Sequence, residues 1–132
     1  MNPQGGAAQG RPSPNAGIDV SKQHLDVCWE STQERLSNDV GGWSELIAKL
    51  RAARVDLVVV EGFKSEPHRK IEVHRLANGK PILFPDDPAI AGIATDTELK
   101  TTLPVVHLDD FKAIAAMMRK LAISVEDVLA AV

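Results

Sequence analysis

One aspartate lies inside an apolar stretch, where its carboxylate could serve a site. Asp19 belongs to residues 16–20, a short apolar run that predicts a strand. An unpaired carboxylate is costly to bury, so this position favours a metal-binding or hydrogen-bonding role. The alternative is an aspartate at the end of a strand that faces solvent. Both interpretations stay open from the residues alone.

Two further patterns meet only part of the requirements of a binding site. Gly5 and Gly10 are spaced as in a phosphate-binding loop, but Arg11-Pro12 follow where Lys and Ser or Thr are needed. Proline has no backbone N–H to offer a phosphate, so no phosphate loop is predicted there. His68 and His74 lack a second ligand pair at metal spacing, and solvated histidines are predicted.

Composition sets limits on the class of protein. The chain has 132 residues, 44% of them hydrophobic, with a net charge of -3 and a pI near 5.8. No global electrostatic attraction to nucleic acid follows from this balance. The single cysteine rules out an internal disulfide, and no apolar stretch is long enough to cross a bilayer. The N-terminus lacks the apolar core of a signal peptide, so we expect a cytoplasmic protein without a membrane partner.

The elements that would position Asp19 follow from the hydrophobic pattern. Residues 1–15 are rich in Gly, Pro, Gln and Ala, which predicts a disordered leader, and residues 16–132 are expected to form one α/β domain. A continuous β-branched run at 55–61 predicts a strand covered on both faces, as in the centre of a parallel sheet. The other predicted strands cover residues 16–20, 24–30, 34–37, 70–75, 81–84, 90–95 and 105–108. Helices are predicted from Trp43 to about Ala53, after a cap at Asp109 or Asp110, and at 125–131.

The front of the chain is similar to a known family of nucleic-acid enzymes. The residues that carry the similarity are 17–22, 25–27, Asn38 and Gly42 before a helix, and the strand that ends in Glu61. Residues 17–61 thereby resemble the N-terminal RuvC-like domain of the DEDD transposases, which has a ribonuclease H fold. The resemblance implies that Asp19 and Glu61 are catalytic and bind Mg²⁺, with DNA as the partner. The two later acids of that family are not matched, since Thr102-Leu103 follow Lys100-Thr101.

The back of the chain is similar to a second family. The matching residues are 56–64, 67–75, 79–81, 85–88, 93–96 and 103–105. Residues 55–121 thereby resemble the C-terminal part of MobB, the molybdopterin-guanine dinucleotide biosynthesis adaptor protein, a GTP-binding fold of the P-loop class. The resemblance implies nucleotide binding by Glu61, Gly62, Lys64 and Arg75, with Mg²⁺ and GTP as cofactors. The Gly-Lys-Ser/Thr loop of that family does not occur here, so this chain alone is expected to bind GTP weakly or not at all.

Both resemblances include the strand at 55–61, which predicts a chimera joined there. The expected fold class is α/β with a mostly parallel sheet flanked by helices, the first half ribonuclease H-like and the second half P-loop-NTPase-like. The first functional hypothesis is a truncated MobB-related protein of molybdenum cofactor biosynthesis, inactive in GTP binding, whose partners are nucleotide or other proteins of that synthesis. The alternatives are a metal-dependent transposase fragment and an inert fusion product. Whether the chain is an enzyme or a homodimer stays open.

Overall fold

The computed structural model describes residues 15–62 and 66–130. The chain divides into two compact units, Met1–Lys64 and Ser65–Val132. The α/β class is confirmed, since both units combine a sheet with helices. The single domain over residues 16–132 stays a prediction. The expected disordered leader lies outside the described residues except for Asn15, which begins the first strand.

The first unit contains a four-stranded mixed sheet and one helix. Strand β1 (Asn15–Val20) pairs antiparallel with β2 (His24–Trp29), which pairs antiparallel with β3 (Thr32–Ser37). Helix α1 (Val40–Ala52) then leads to β4 (Leu57–Glu61), which pairs parallel with β1. The strand order is therefore β3-β2-β1-β4.

One face of this sheet packs into the core of the unit. Ile18, Leu25, Val27 and Leu46 of α1 are buried together, and Leu25 and Leu46 have no exposed surface. Along β1 the buried residues alternate with exposed ones, as expected when only one face of a sheet is covered. The opposite face of β1 therefore carries the side chains that remain available for chemistry.

The entry to α1 is fixed by polar contacts and by a close backbone approach. Asp39 caps the helix, with Oδ1 accepting from the N–H of Gly42 at 2.7 Å. A Cβ at Gly42 would lie 1.7 Å from the carbonyl oxygen of Ser37, so only glycine fits. Asn38 donates from Nδ2 to the carbonyl of Ser21 at 2.8 Å and ties the turn after β1 to this junction. The helix begins earlier than the hydrophobic pattern predicts, because the cap precedes the first apolar contact.

Strand β4 corrects one expectation. The extended conformation is confirmed for Leu57–Glu61, but the strand lies at the edge of its sheet. Val59 and Val60 are each 37% exposed, so the predicted coverage of both faces is wrong. A β-branched run shows a preference for extended backbone, and it does not distinguish a central position from an edge.

The second unit contains an all-parallel sheet of three strands in the order β5-β6-β7. Two turns of 3₁₀ helix, Leu76–Asn78 and Phe84–Asp86, lie between the first two strands, and the strand predicted at 81–84 is wrong. None of the helices in the described parts of the chain is long and apolar enough to cross a membrane. The elements of this unit are β5 (Lys70–His74), β6 (Ile90–Thr95), β7 (Val105–His107), α2 (Phe111–Leu121) and α3 (Val125–Ala130).

Helix α2 packs closely against β6 because of a glycine. A Cβ at Gly92 would lie 2.7 Å from Sδ of Met117 and 2.9 Å from Cδ1 of Leu121. The helix starts at the predicted cap, Asp110, whose Oδ1 accepts from the N–H of Ala113 at 3.0 Å. The face of the sheet that carries Gly92 is therefore the face covered by α2.

Candidate functional site

Strand register brings the two predicted catalytic acids together. Asp19 is the partner of Glu61 in the parallel pairing of β1 with β4, and of Asp26 in the antiparallel pairing of β1 with β2. Partners on neighbouring strands lie about 5 Å apart and project from the same face of a sheet. Three carboxylates thus form a row on the face opposite the buried Ile18. Asp19 and Glu61 are both exposed.

A fourth charged residue neutralises one member of the row. Arg35 donates from Nε to Oδ1 of Asp26 at 2.8 Å and from Nη2 to Oδ2 at 3.2 Å. This bidentate hydrogen bond lowers the pKa of Asp26 below its ordinary value and raises that of Arg35. Asp26 is therefore bonded to the guanidinium, and Asp19 and Glu61 are the two members of the row that were predicted to bind a ligand.

The pair has the donor chemistry of a hard-cation site. Mg²⁺ prefers carboxylate oxygens and keeps several waters, and proteins often bind it through one or two carboxylates together with substrate phosphates. Asp19 and Glu61 supply two such carboxylates at the carboxyl ends of adjacent parallel strands. Within residues 15–62 and 66–130, no group of three or more His, Cys, Asp or Glu side chains is arranged to hold a metal. Metal binding and a catalytic role for the two acids therefore stay predictions.

Gly62 has a conformation that explains its residue type. Its φ of 113° lies in a region that L side chains rarely adopt, and a Cβ would lie 2.5 Å from the carbonyl oxygen of Val20. The chain therefore passes close against β1 directly after Glu61. This geometry requires glycine for a structural reason, and the predicted role of Gly62 in nucleotide binding stays a prediction.

The other two residues predicted to bind nucleotide lie outside the described part of the first unit. Lys64 lies outside the described residues. Arg75 belongs to the second unit, where it is exposed and immediately precedes the first 3₁₀ helix. Its carbonyl accepts from the N–H of Asn78 at 3.0 Å. Their binding roles stay predictions.

Sequence reasoning missed a polar group at the carboxyl end of the second sheet. His74 Nδ1 lies 3.1 Å from Oγ1 of Thr95, and His74 Nε2 lies 3.1 Å from the carbonyl oxygen of Lys80. A carbonyl only accepts, so Nε2 carries the hydrogen. The predicted solvation of His74 is wrong, because both ring nitrogens are bonded within the protein. A threonine at the end of the apolar strand β6 was the available signal.

Comparison with known proteins matches one family to most of the first unit and to part of the second. A family model described as molybdopterin guanine dinucleotide synthesis protein B, MobB, matches residues 17–96, more than half of the chain. The match includes the segment that resembles the transposases, and the comparisons give no support for a transposase part or a chimera. No curated protein and no solved structure gave a significant match. This chain therefore belongs to the MobB family.

Proposed function

We propose that this chain acts in the synthesis of molybdopterin guanine dinucleotide as an adaptor that does not hold GTP by itself. The observation that carries the proposal is the family match over residues 17–96. The parallel α/β architecture of the second unit is compatible with such a family. Its partners on this proposal are other proteins of molybdenum cofactor synthesis.

The lack of a phosphate-binding loop in this sequence supports the proposal that the chain does not hold GTP by itself. P-loop proteins hold phosphates with backbone N–H groups and with the lysine of a Gly-Lys-Ser/Thr sequence, which this chain lacks. Gly79-Lys80 is followed by Pro81, which has no N–H to donate. The carbonyl of Lys80 is also bonded by His74, which fixes this turn to its own sheet. The residues of this turn therefore do not provide the N–H groups that a nucleotide phosphate needs.

Genetic replacement tests the proposed function. The chain is expressed in cells that lack their own MobB protein, and the dinucleotide form of the cofactor is released and quantified by chromatography. We expect more of the dinucleotide than with an empty vector, and an equal amount with the surface variant Glu98→Gln. The core variant Leu46→Ala should reduce the recovery through loss of fold. An amount equal to the empty vector from a well-expressed chain would contradict the proposal and favour an inert fusion product.

A second candidate is metal-dependent phosphoryl transfer on DNA, as expected of a transposase fragment. The register pairing of Asp19 with Glu61 favours it, since two metal ions held by such carboxylates can stabilise the attacking and leaving oxygens. Nicking of supercoiled plasmid with Mn²⁺ tests this candidate. It requires cleavage that Asp19→Asn abolishes and Glu98→Gln preserves. No cleavage with any divalent metal would remove it.

A further inference from the structure

The two faces of the second sheet are covered in different ways. Helix α2 covers the face that carries Gly92. The neighbouring residue, Ile93, must project from the opposite face, where Glu72 is its register partner. Ile93 has no exposed surface and Thr95 is 2% exposed. A part of the chain other than α2 therefore covers this second face.

Residues 76–87, here called the strap, pass along this second face. Glu72 and His74 project from the same face as Ile93, and both bind the backbone of the strap. Glu72 accepts from the N–H of Leu83 at 2.8 Å and from that of Phe84 at 2.9 Å, one bond to each carboxylate oxygen. His74 Nε2 donates to the carbonyl of Lys80 at 3.1 Å.

Both ends of the strap are fastened by carboxylates as well. At the start, Oδ1 of Asp96 accepts from the N–H of Leu76 at 2.9 Å. At the end, Oδ2 of Asp87 lies 3.2 Å from Nζ of Lys70, and Oδ1 accepts from the N–H of Ala89 at 2.9 Å. These bonds, first that from Ala89 and then that from Lys70, lower the pKa of Asp87.

No residue of the strap is fully buried, although Ile82 and Phe84 are half-buried. Neither of its 3₁₀ helices contains a buried residue, and Leu76 and Leu83 are 67% and 50% exposed. Hydrogen bonds in contact with water contribute modestly to stability, and segments held by few apolar contacts open at a lower free energy than the whole fold. The strap and the strands beneath it therefore differ in what holds them.

We propose that the strap is a lid that opens as one cooperative unit while β5, β6, β7 and α2 stay folded. Opening exposes Ile93 and the Thr95 hydroxyl at the carboxyl ends of the parallel strands, the edge at which open α/β sheets bind ligands. Glu72, His74 and Asp96 are the latches of the lid. This device is independent of the proposed role in cofactor synthesis.

Hydrogen exchange of the full chain, measured by NMR, tests the lid with two latch variants. Asp96→Ala removes the acceptor for Leu76, and Glu72→Gln weakens the two bonds to Leu83 and Phe84. If the strap opens as a unit, each variant accelerates exchange at all three amides by about tenfold or more, including amides that the mutated side chain does not touch. Glu98→Gln, an exposed carboxyl change in the same unit, should leave all three unchanged.

The α2 amides serve as the internal reference for folding. Ile114 and Ala122 donate to backbone carbonyls of their own helix, and their exchange should be the same in all variants. Acceleration at Leu76 alone in Asp96→Ala would show independent latches and overturn the proposal. Equal acceleration in α2 would show that the strap opens only when the unit unfolds, which also overturns it.

Discussion

The two units of this chain place their polar residues in opposite ways. In the first unit, an apolar core of sheet and helix supports an open face on which Asp26, Asp19 and Glu61 stand in one row. In the second unit, carboxylates and a histidine form hydrogen bonds with backbone groups, as Glu72 does with the strap. Carboxylates thus gather on an open sheet face in one unit and bind the backbone of a neighbouring segment in the other.

The difference shows why a residue's type does not reveal its role. Glu61 ends a strand whose neighbour carries Asp19 at the paired position, so strand register brings the two carboxylates to one place. Glu72 lies in the middle of its strand and accepts hydrogen bonds from two backbone N–H groups of the strap. Its carboxylate is therefore bonded within its own unit. Four predictions test this contrast.

The largest effect is expected in the core of the first unit. Leu46 has no exposed surface, and Leu46→Ala should lower the free energy of unfolding by about 2–5 kcal/mol. The matched control is Val40→Ala in the same helix, since Val40 is 85% exposed and its truncation should cost little. Both tryptophans, Trp29 and Trp43, pack against this core, so urea unfolding followed by tryptophan fluorescence reports on this unit. Equal effects of the two variants would contradict the assigned core.

Two adjacent glycines of α1 should respond with opposite signs. Gly42→Ala places a methyl group against the carbonyl of Ser37 and should destabilise the unit by about 3 kcal/mol. Gly41→Ala meets only Oδ1 of Asp39 at 3.5 Å, an ordinary contact, so helix propensity should make it neutral or stabilising by up to about 1 kcal/mol. The same fluorescence measurement compares the two, and a stable Gly42→Ala variant would refute the close approach.

A glycine-to-alanine substitution in each sheet tests whether the sheet face at that position is covered. Gly92→Ala forces Met117 and Leu121 to shift and should destabilise the second unit by about 1 kcal/mol, because the atoms in the way are the ends of side chains. Gly17→Ala meets nothing within 4 Å on the open face of the first sheet and should be tolerated. Urea unfolding followed by circular dichroism measures both. Equal destabilisation would mean that both faces are covered.

The smallest effect is the pH dependence of the Asp26–Arg35 pair. The pKa of Asp26 is lowered in the folded chain, so the pair's contribution to stability is present above the unfolded pKa of about 3.9. It is lost as the pH falls through the folded pKa, when the carboxylate is protonated. An NMR titration of the Asp26 carboxyl should give a low midpoint in the native chain and an ordinary one in Arg35→Gln. Identical midpoints would remove the assigned pairing.

The sequence predicted those parts of the fold that local pattern determines. Residues 90–95 are uniformly apolar or small, and their prediction as a strand is confirmed; Asp110, one of the two predicted helix caps, is the cap that the structure shows. The strand predicted at 81–84 failed because Glu72 binds the N–H groups of Leu83 and Phe84, which are then not available to a sheet. A side chain eleven residues away in sequence decided that outcome.

The candidate site was predictable in part for the same reason. Asp19 and Glu61 could be proposed as a pair from the resemblance to the transposases, and their positions in two predicted strands agreed with it. The ion pair of Asp26 with Arg35 depends on the register between β2 and β3, which places the two residues opposite each other. The residue pattern of a single strand does not specify that register. The edge position of β4 likewise depends on which strands pair, and its own residues do not encode it.

We propose that this chain belongs to the MobB family but does not bind GTP by itself, and equilibrium binding of labelled GTP to the whole chain with Mg²⁺ is the decisive measurement. We expect no saturable binding up to about 1 mM GTP, because no Gly-Lys-Ser/Thr loop is present to hold the phosphates. Saturable binding with a dissociation constant of about 1 μM would show that the chain holds the nucleotide without this loop.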